Sequence, residues 1–189
     1  MLRKRLSRRA AFTLVEVMVV MTIMTSQANN YGDVRKIAYQ KTCENNLRQI
    51  YQALLMQDME NGTLPKAAFF PKRPKADPRS LVKILGPSFA ASLVCPVFPA
   101  AIKEKGLTYI YNDELGGQMI DQIPNPRETW LVTEMNAVSD KIPMPHPGGF
   151  LILYADGHIQ ATKKIPAPFA ELAKKIEERQ KAGAPEKSE

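Results

Sequence analysis

The chain begins with one long apolar stretch. Residues 10–24 are apolar except for two threonines and one carboxylate, Glu16. An ionised side chain in hydrocarbon is costly, so a carboxylate in such a segment indicates a functional role. These roughly 15 residues would form a helix about 22 Å long, and a helix that spans a bilayer takes more residues, about 20. The pattern predicts a short apolar anchor helix that carries a single acidic group.

A second apolar pattern has the spacing of an amphipathic helix. Residues 33–61 place apolar side chains at steps of three and four, which is one helical face. Asn61-Gly62 followed by Pro65 is a typical helix end. The residues of this face are predicted to be core: Tyr39, Cys43, Leu47, Ile50 and Leu54.

Short strands are predicted after the helix. Residues 62–78 are rich in proline and lysine and predict an exposed loop, and residues 80–85 predict a short helix. Residues 150–154 are apolar on both faces and predict the best-buried strand. Asp156-Gly157 then predicts a tight hairpin turn. The strand candidates are residues 107–112, 118–122, 129–134, 149–155 and 158–160. The expected fold class is α+β, a long N-terminal helix packed on a small antiparallel β-sheet.

The positive charge is concentrated at the N-terminus. The net charge is +7, from 26 basic and 19 acidic residues, but five basic residues lie within residues 1–9. Without residues 1–11 the balance is 21 to 19, so the charge does not indicate a nucleic-acid partner. A basic segment before an apolar one stays on the cytoplasmic side of a membrane.

Small residues lie before the apolar stretch rather than after it, which is unlike an ordinary secretory signal. A cut after Ala11 would leave the helix in place and create a new amine at Phe12, about one helical turn from Glu16. Glu16 could then pair with its own terminus or with that of a neighbouring subunit. The alternative is an uncleaved signal anchor in which Glu16 reaches toward the interface.

The segment from Phe12 to Glu16, Phe-Thr-Leu-Val-Glu after a basic leader, resembles the cleavage site of the type IV pilin and type II secretion pseudopilin superfamily. Ala11 stands where that family nearly always has glycine. The resemblance implies cleavage between Ala11 and Phe12 by a prepilin peptidase, N-methylation of Phe12 and a role for Glu16 in subunit docking. It implies a structural subunit of a pilus or pseudopilus rather than an enzyme.

The same resemblance implies a location and a division of the chain. The protein would sit in the bacterial inner membrane as a single-pass protein with its body in the periplasm, and then in the filament. Its partners would be other pilin or pseudopilin subunits, the inner-membrane assembly platform and the lipid bilayer. The expected segments are a leader at 1–11, an anchor at 12–25, an amphipathic continuation at 26–61, a pilin-like body at 62–165 and a polar tail at 166–189.

A further likeness concerns the body. His146 is followed by nine residues and then Asp156-Gly157, which is similar to the His-x9-Asp-Gly signature of a prepilin-type subgroup. Residues 93–96 and 109–112 also resemble that subgroup, whereas residues 43–50 followed by 61–65 are similar to the start of many pilin-like soluble domains. The molecular role of the subgroup is poorly defined, so the likeness implies an architecture rather than a specific function.

Two sets of residues could carry further chemistry. Cys43 and Cys95 would face an oxidising compartment after export, where they could form a disulfide or remain two buried thiols. His146, Asp156 and His158 could bind a divalent metal, or they could brace a turn and a strand. No nucleophile with a paired base and no phosphate-binding loop is present in the sequence, so no catalytic site and no other cofactor are expected.

Two rival functions follow from other residues. The basic loop that includes Lys72, Arg73 and Lys75 could let a minor pilin bind DNA or a glycan, with salt-sensitive affinity. Alternatively, a metal at His146, Asp156 and His158 would indicate a metal-binding periplasmic protein.

Overall fold

The computed structural model describes residues 13–138, Met144 and residues 146–164. The chain divides into two compact units, residues 1–36 and residues 37–189. The expected leader, the cleavage-site residues Ala11 and Phe12, and the tail at 166–189 lie outside the described residues.

Helix α1 runs from Leu14 to Asn61, so one helical backbone includes both predicted helical segments. It ends where the sequence predicts, because Gly62 adopts a positive φ of 73°, the left-handed conformation that glycine supplies after a helix. Within the described residues, no helix is long and apolar enough to cross a membrane.

Within the described residues, four antiparallel strands form one sheet, in which each strand pairs with the next one along the chain. The first three lie within predicted strands, and the fourth follows the predicted Asp156-Gly157 turn. The α+β class is confirmed. The strands are β1 Tyr109–Tyr111, β2 Trp130–Glu134, β3 Phe150–Tyr154 and β4 Ile159–Thr162.

Several short helices connect these elements. The predicted helix near residue 80 is confirmed as α2, Leu81–Ile84, whose N-cap Ser80 accepts a hydrogen bond from the Val82 N–H. Another short helix, α3, covers Ala100–Lys103. The 3₁₀ helices are Pro87–Phe89, Asp113–Leu115, Ile120–Gln122 and Met135–Val138.

The predicted strand at 118–122 is wrong. Its second half is the 3₁₀ helix Ile120–Gln122, and the Ile120 N–H donates to Asp58 Oδ1 of α1 at 3.3 Å. Gln118 pairs through its carbonyl with the Leu64 N–H of the preceding loop. The backbone groups of this segment are therefore bonded to α1 and a loop, so they are not available to pair with a neighbouring strand.

The core of the second unit lies between α1 and one face of the sheet. Cys43, Leu47, Ile50 and Leu54 are fully buried, as predicted, but Tyr39 is 38% exposed, so the core face begins one turn later than expected. The predicted double-sided burial of β3 is confirmed, because its first four residues are all at most 1% exposed. A smaller apolar cluster covers the other face of the sheet: Ile110, Trp130, Ala137, Phe150 and Ile152.

Candidate functional site

The N-terminus of α1 is closed by a reciprocal set of hydrogen bonds. Glu16 Oε2 accepts from the Thr13 N–H at 2.8 Å and from the Thr13 hydroxyl at 2.9 Å. The Glu16 N–H in turn donates to Thr13 Oγ1 at 3.3 Å. This is a capping box, and the spacing Thr-x-x-Glu could have predicted it from the sequence. Glu16 therefore has a local partner as well as its expected role between subunits.

The described apolar side chains at the start of α1 are exposed. Leu14 is 74% exposed and Met18 is 60% exposed, and the neighbouring valines are exposed as well. Such a continuous apolar surface is unusual on a soluble monomer and typically marks a contact with protein or lipid. The exposed large apolar residues of this segment are Leu14, Val15, Val17, Met18, Val19, Val20, Met21 and Ile23.

A second candidate site lies inside the second unit. Four side chains of metal-ligand type meet there, and their ligand atoms all lie within 4.8 Å of one another. Each residue is buried and each comes from a different part of the chain. Cys43 belongs to α1, Cys95 to the loop before α3, Glu134 to the end of β2 and His146 to the segment before β3. We call these four residues the buried quartet.

Backbone contacts hold the quartet in position. The Cys95 N–H donates to Thr108 Oγ1 at 2.7 Å, and the Leu151 N–H of β3 donates to Glu134 Oε2 at 2.9 Å. The His146 carbonyl accepts from the Gly149 N–H at 3.0 Å. One oxygen of the Glu134 carboxylate is thus used by the sheet, and the other remains directed at the quartet.

The polar atoms of the quartet lie close to one another and are buried. His146 Nε2 lies 3.0 Å from Glu134 Oε1 and 3.7 Å from Cys95 Sγ. Burial by itself lowers the pKa of His146, but the contacts with Cys95 and Glu134 outweigh it and raise that pKa to about 9. The contact with the Cys43 thiol and burial both raise the pKa of Cys95. Among the described residues, His146 Nδ1 has no hydrogen-bond partner.

The structure divides the sequence-predicted site residues into two places. Cys43 and Cys95 come together with His146, and both cysteines are free and buried. Asp156 and His158 are not part of this group and lie at the β3–β4 turn.

Asp156 and His158 interact with each other and with their neighbours at that turn. Asp156 Oδ1 accepts from the His158 N–H at 3.0 Å and lies 2.5 Å from His158 Nδ1. The His158 ring stacks on Tyr154 with centroids 4.3 Å apart, and Arg127 Nε is 3.5 Å from Asp156 Oδ2. These contacts connect the turn to the adjacent strand and to the loop before β2.

Glu134 is the functional candidate that the sequence reasoning missed. Its only local signal is a charged residue at the end of a largely apolar strand, which is ordinary for a strand that reaches solvent. Its burial becomes apparent only once β3 and the segment at His146 are placed beside it.

Comparison with known families identifies the N-terminal segment. The model of the prokaryotic N-terminal methylation motif matches residues 6–25. This match supports a precursor of the type IV pilin or pseudopilin class, a class of structural subunits, with a prepilin peptidase and other pilin subunits as general partners. No curated protein and no solved structure matches the chain.

Proposed function

We propose that the protein is a pilin or pseudopilin subunit that a prepilin peptidase cleaves between Ala11 and Phe12 and that polymerises through α1. The observation that carries the proposal is the methylation-motif match over residues 6–25. The exposed apolar side chains at the start of α1 agree with it, because a filament core or a lipid phase would cover them.

Glu16 would act in two successive ways. In the described chain its carboxylate caps α1 through Thr13. Cleavage would create a charged amine at Phe12, the residue before Thr13. Charges attract more strongly where water is excluded, so the carboxylate would pair with this amine or with that of a neighbouring subunit as the helices pack. Cleavage would thereby convert a capping group into a docking group.

Two substitutions at Glu16 separate capping from docking. Glutamine can serve in a capping box, so Glu16→Gln preserves the cap while it removes the charge, and Glu16→Ala removes both. If charge pairing drives docking, both variants are cleaved but neither enters filaments. The measurement is an immunoblot of the sheared filament fraction, with the mature chain in the membrane as the cleavage control.

The two alternatives give different results. Normal filament incorporation of Glu16→Gln would show that the charge is not needed and would remove the docking role. A wild-type chain that keeps its leader in the presence of an active prepilin peptidase would remove the precursor assignment itself.

A further inference from the structure

We infer that Cys43, Cys95, Glu134 and His146 form a tetrahedral zinc site that links α1 to the β-sheet. The four ligand atoms already lie within 4.8 Å of one another, and all four side chains are buried. None of the four lies in the N-terminal motif, so this site and the filament role can be tested separately.

The donor set favours zinc over other common metals. Two cysteine sulfurs and one imidazole are ligands that select zinc among the divalent ions, whereas calcium and magnesium require a shell of oxygens. The fourth donor, a carboxylate, also occurs on zinc. A group of four protein ligands leaves no open position for substrate, so the site is structural rather than catalytic.

The distances are close to those of a tetrahedral shell. With zinc–sulfur bonds of about 2.3 Å and zinc–nitrogen bonds of about 2.0–2.1 Å, a sulfur and a nitrogen on one ion are separated by roughly 3.6 Å. Cys95 Sγ and His146 Nε2 are 3.7 Å apart. A nitrogen and an oxygen would be separated by roughly 3.4 Å on the same ion. His146 Nε2 and Glu134 Oε1 are 3.0 Å apart, so a small side-chain shift suffices.

Contacts around the quartet resemble the support of a metal site. Glu134 keeps one oxygen directed at the quartet because the other accepts from the Leu151 N–H. Thr108 holds the Cys95 backbone through its hydroxyl. Outer contacts of this kind orient ligands in known metal sites and affect affinity strongly.

Zinc would also compensate the cost of burying this group. Polar side chains in a core are costly unless their polar atoms are paired, and zinc would pair the ligand atoms of all four residues, although not His146 Nδ1. On binding, each cysteine would release its thiol proton to solvent and His146 would release the proton on Nε2, so that two thiolates and a neutral imidazole donate electron pairs to zinc. The ion's two positive charges would balance the two thiolates. The Glu134 carboxylate would complete the shell and leave one net negative charge, beside the Leu151 N–H that donates to it.

The ion would connect segments that are distant in sequence. About 50 residues of chain separate Cys43 from Cys95, and the other two ligands follow later in the sequence. Cross-linking such distant positions restricts the unfolded chain, as a disulfide does, with a gain that grows with loop length. The zinc site would therefore hold the C-terminal half of α1 against the sheet.

The test measures zinc in the full-length chain, purified in detergent without chelators. Elemental analysis should find about one zinc ion per chain, and X-ray absorption at the zinc edge should show two sulfur neighbours. Glu134→Gln keeps an acceptor for the Leu151 N–H but loses a charged ligand. It should lower zinc affinity by more than about 10-fold. Cys43→Ser and His146→Ala should remove most of the bound zinc.

A matched control uses the other histidine cluster. The double variant Asp156→Asn with His158→Ala alters the exposed turn and should leave the zinc content unchanged. Loss of zinc from this variant together with retention in Cys43→Ser would place the metal elsewhere and overturn the quartet assignment.

Measurements on the wild-type chain keep the test decisive even if a cysteine variant fails to fold. A Cys43–Cys95 disulfide detected by peptide mapping under non-reducing conditions would overturn the zinc site. Two free thiols with no zinc after expression in zinc-supplemented medium would overturn it as well. Zinc bound with sulfur neighbours, and lower thermal stability after chelation, would support it.

Discussion

Gly157 combines two requirements at one position of the β3–β4 turn. Its φ is +87°, where side chains other than glycine's are strained, and its N–H donates to the Tyr154 carbonyl at 2.9 Å. A Cβ here would lie 2.6 Å from Cε1 of Tyr51 on α1. The Tyr51 ring cannot move away freely, because its hydroxyl donates to the Ala155 carbonyl at 3.2 Å. The turn therefore packs on α1 only with glycine at this position.

Gly157→Ala should destabilise the protein more than the same substitution at a left-handed glycine with open space around it. We expect about 3 kcal/mol, from backbone strain plus the steric conflict with Tyr51. Gly62→Ala is the matched control, since Gly62 also has a positive φ but open space around its Cβ position. It should cost about 1 kcal/mol. The measurement is the free energy of unfolding in urea.

A double variant isolates the steric part of this cost. In a Tyr51→Ala background, Gly157→Ala should cost no more than Gly62→Ala does, because the ring is gone. Equal costs for the two glycine variants in the wild-type background would contradict the packing explanation.

Asn112 connects two elements at the end of β1. Its side-chain amide donates to the Trp130 carbonyl of β2 at 2.9 Å, and its Oδ1 accepts from the Glu114 N–H at the start of a 3₁₀ helix. The residue is only 7% exposed. Both halves of the amide are thus used, one by the sheet and the other by the helix that follows it.

Asn112→Asp should be clearly destabilising although the shape is unchanged. The variant keeps the cap but places a carboxylate oxygen against the Trp130 carbonyl, so a buried donor is replaced by an acceptor. We expect a loss of about 2 kcal/mol in unfolding free energy near neutral pH. Gln118→Glu makes the same chemical change at an exposed residue and should stay within about 0.5 kcal/mol. Similar effects for the two variants would show that the buried contact with Trp130 contributes little.

At the scale of elements, the sequence predicts what depends on local pattern. The end of α1 at Asn61, the short helix near residue 80 and the burial of β3 follow from local residue patterns that act on their immediate neighbours. The segment at 118–122 has a strand-like composition, but the Asp58 carboxylate, 62 residues from Ile120, bonds its backbone and fixes a 3₁₀ turn. No local pattern contains that contact.

At the scale of the whole molecule, the sequence shows which residue types the buried quartet contains, but it does not show that they lie together. Cys43, Cys95 and His146 are recognisable in the sequence as residue types with chemistry. Their grouping depends on the packing of α1 against the sheet and on the loop between them, and Glu134 joins only through the pairing of β2 with β3. The spacing from His146 to Asp156 instead suggests a common site with His158. In the structure β3 runs between the two positions, so closeness in sequence does not bring them to one site.

The proposed maturation of the whole chain depends on Ala11, which stands where pilin-like sequences nearly always have glycine. A peptidase that accepts small residues must fit the side chain before the scissile bond, and each added carbon takes space there. Ala11→Gly should therefore be cleaved at least as fast as the wild type, and Ala11→Leu should keep its leader. The measurement is a pulse-chase of the full-length chain with an active prepilin peptidase, in which the two products differ by the 11 leader residues. Met59→Ala, which changes an exposed residue outside the motif, is the control and should be cleaved normally. If Ala11→Leu is shortened at the wild-type rate, the cut does not lie after Ala11, and the Phe12 amine proposed to pair with Glu16 would not exist.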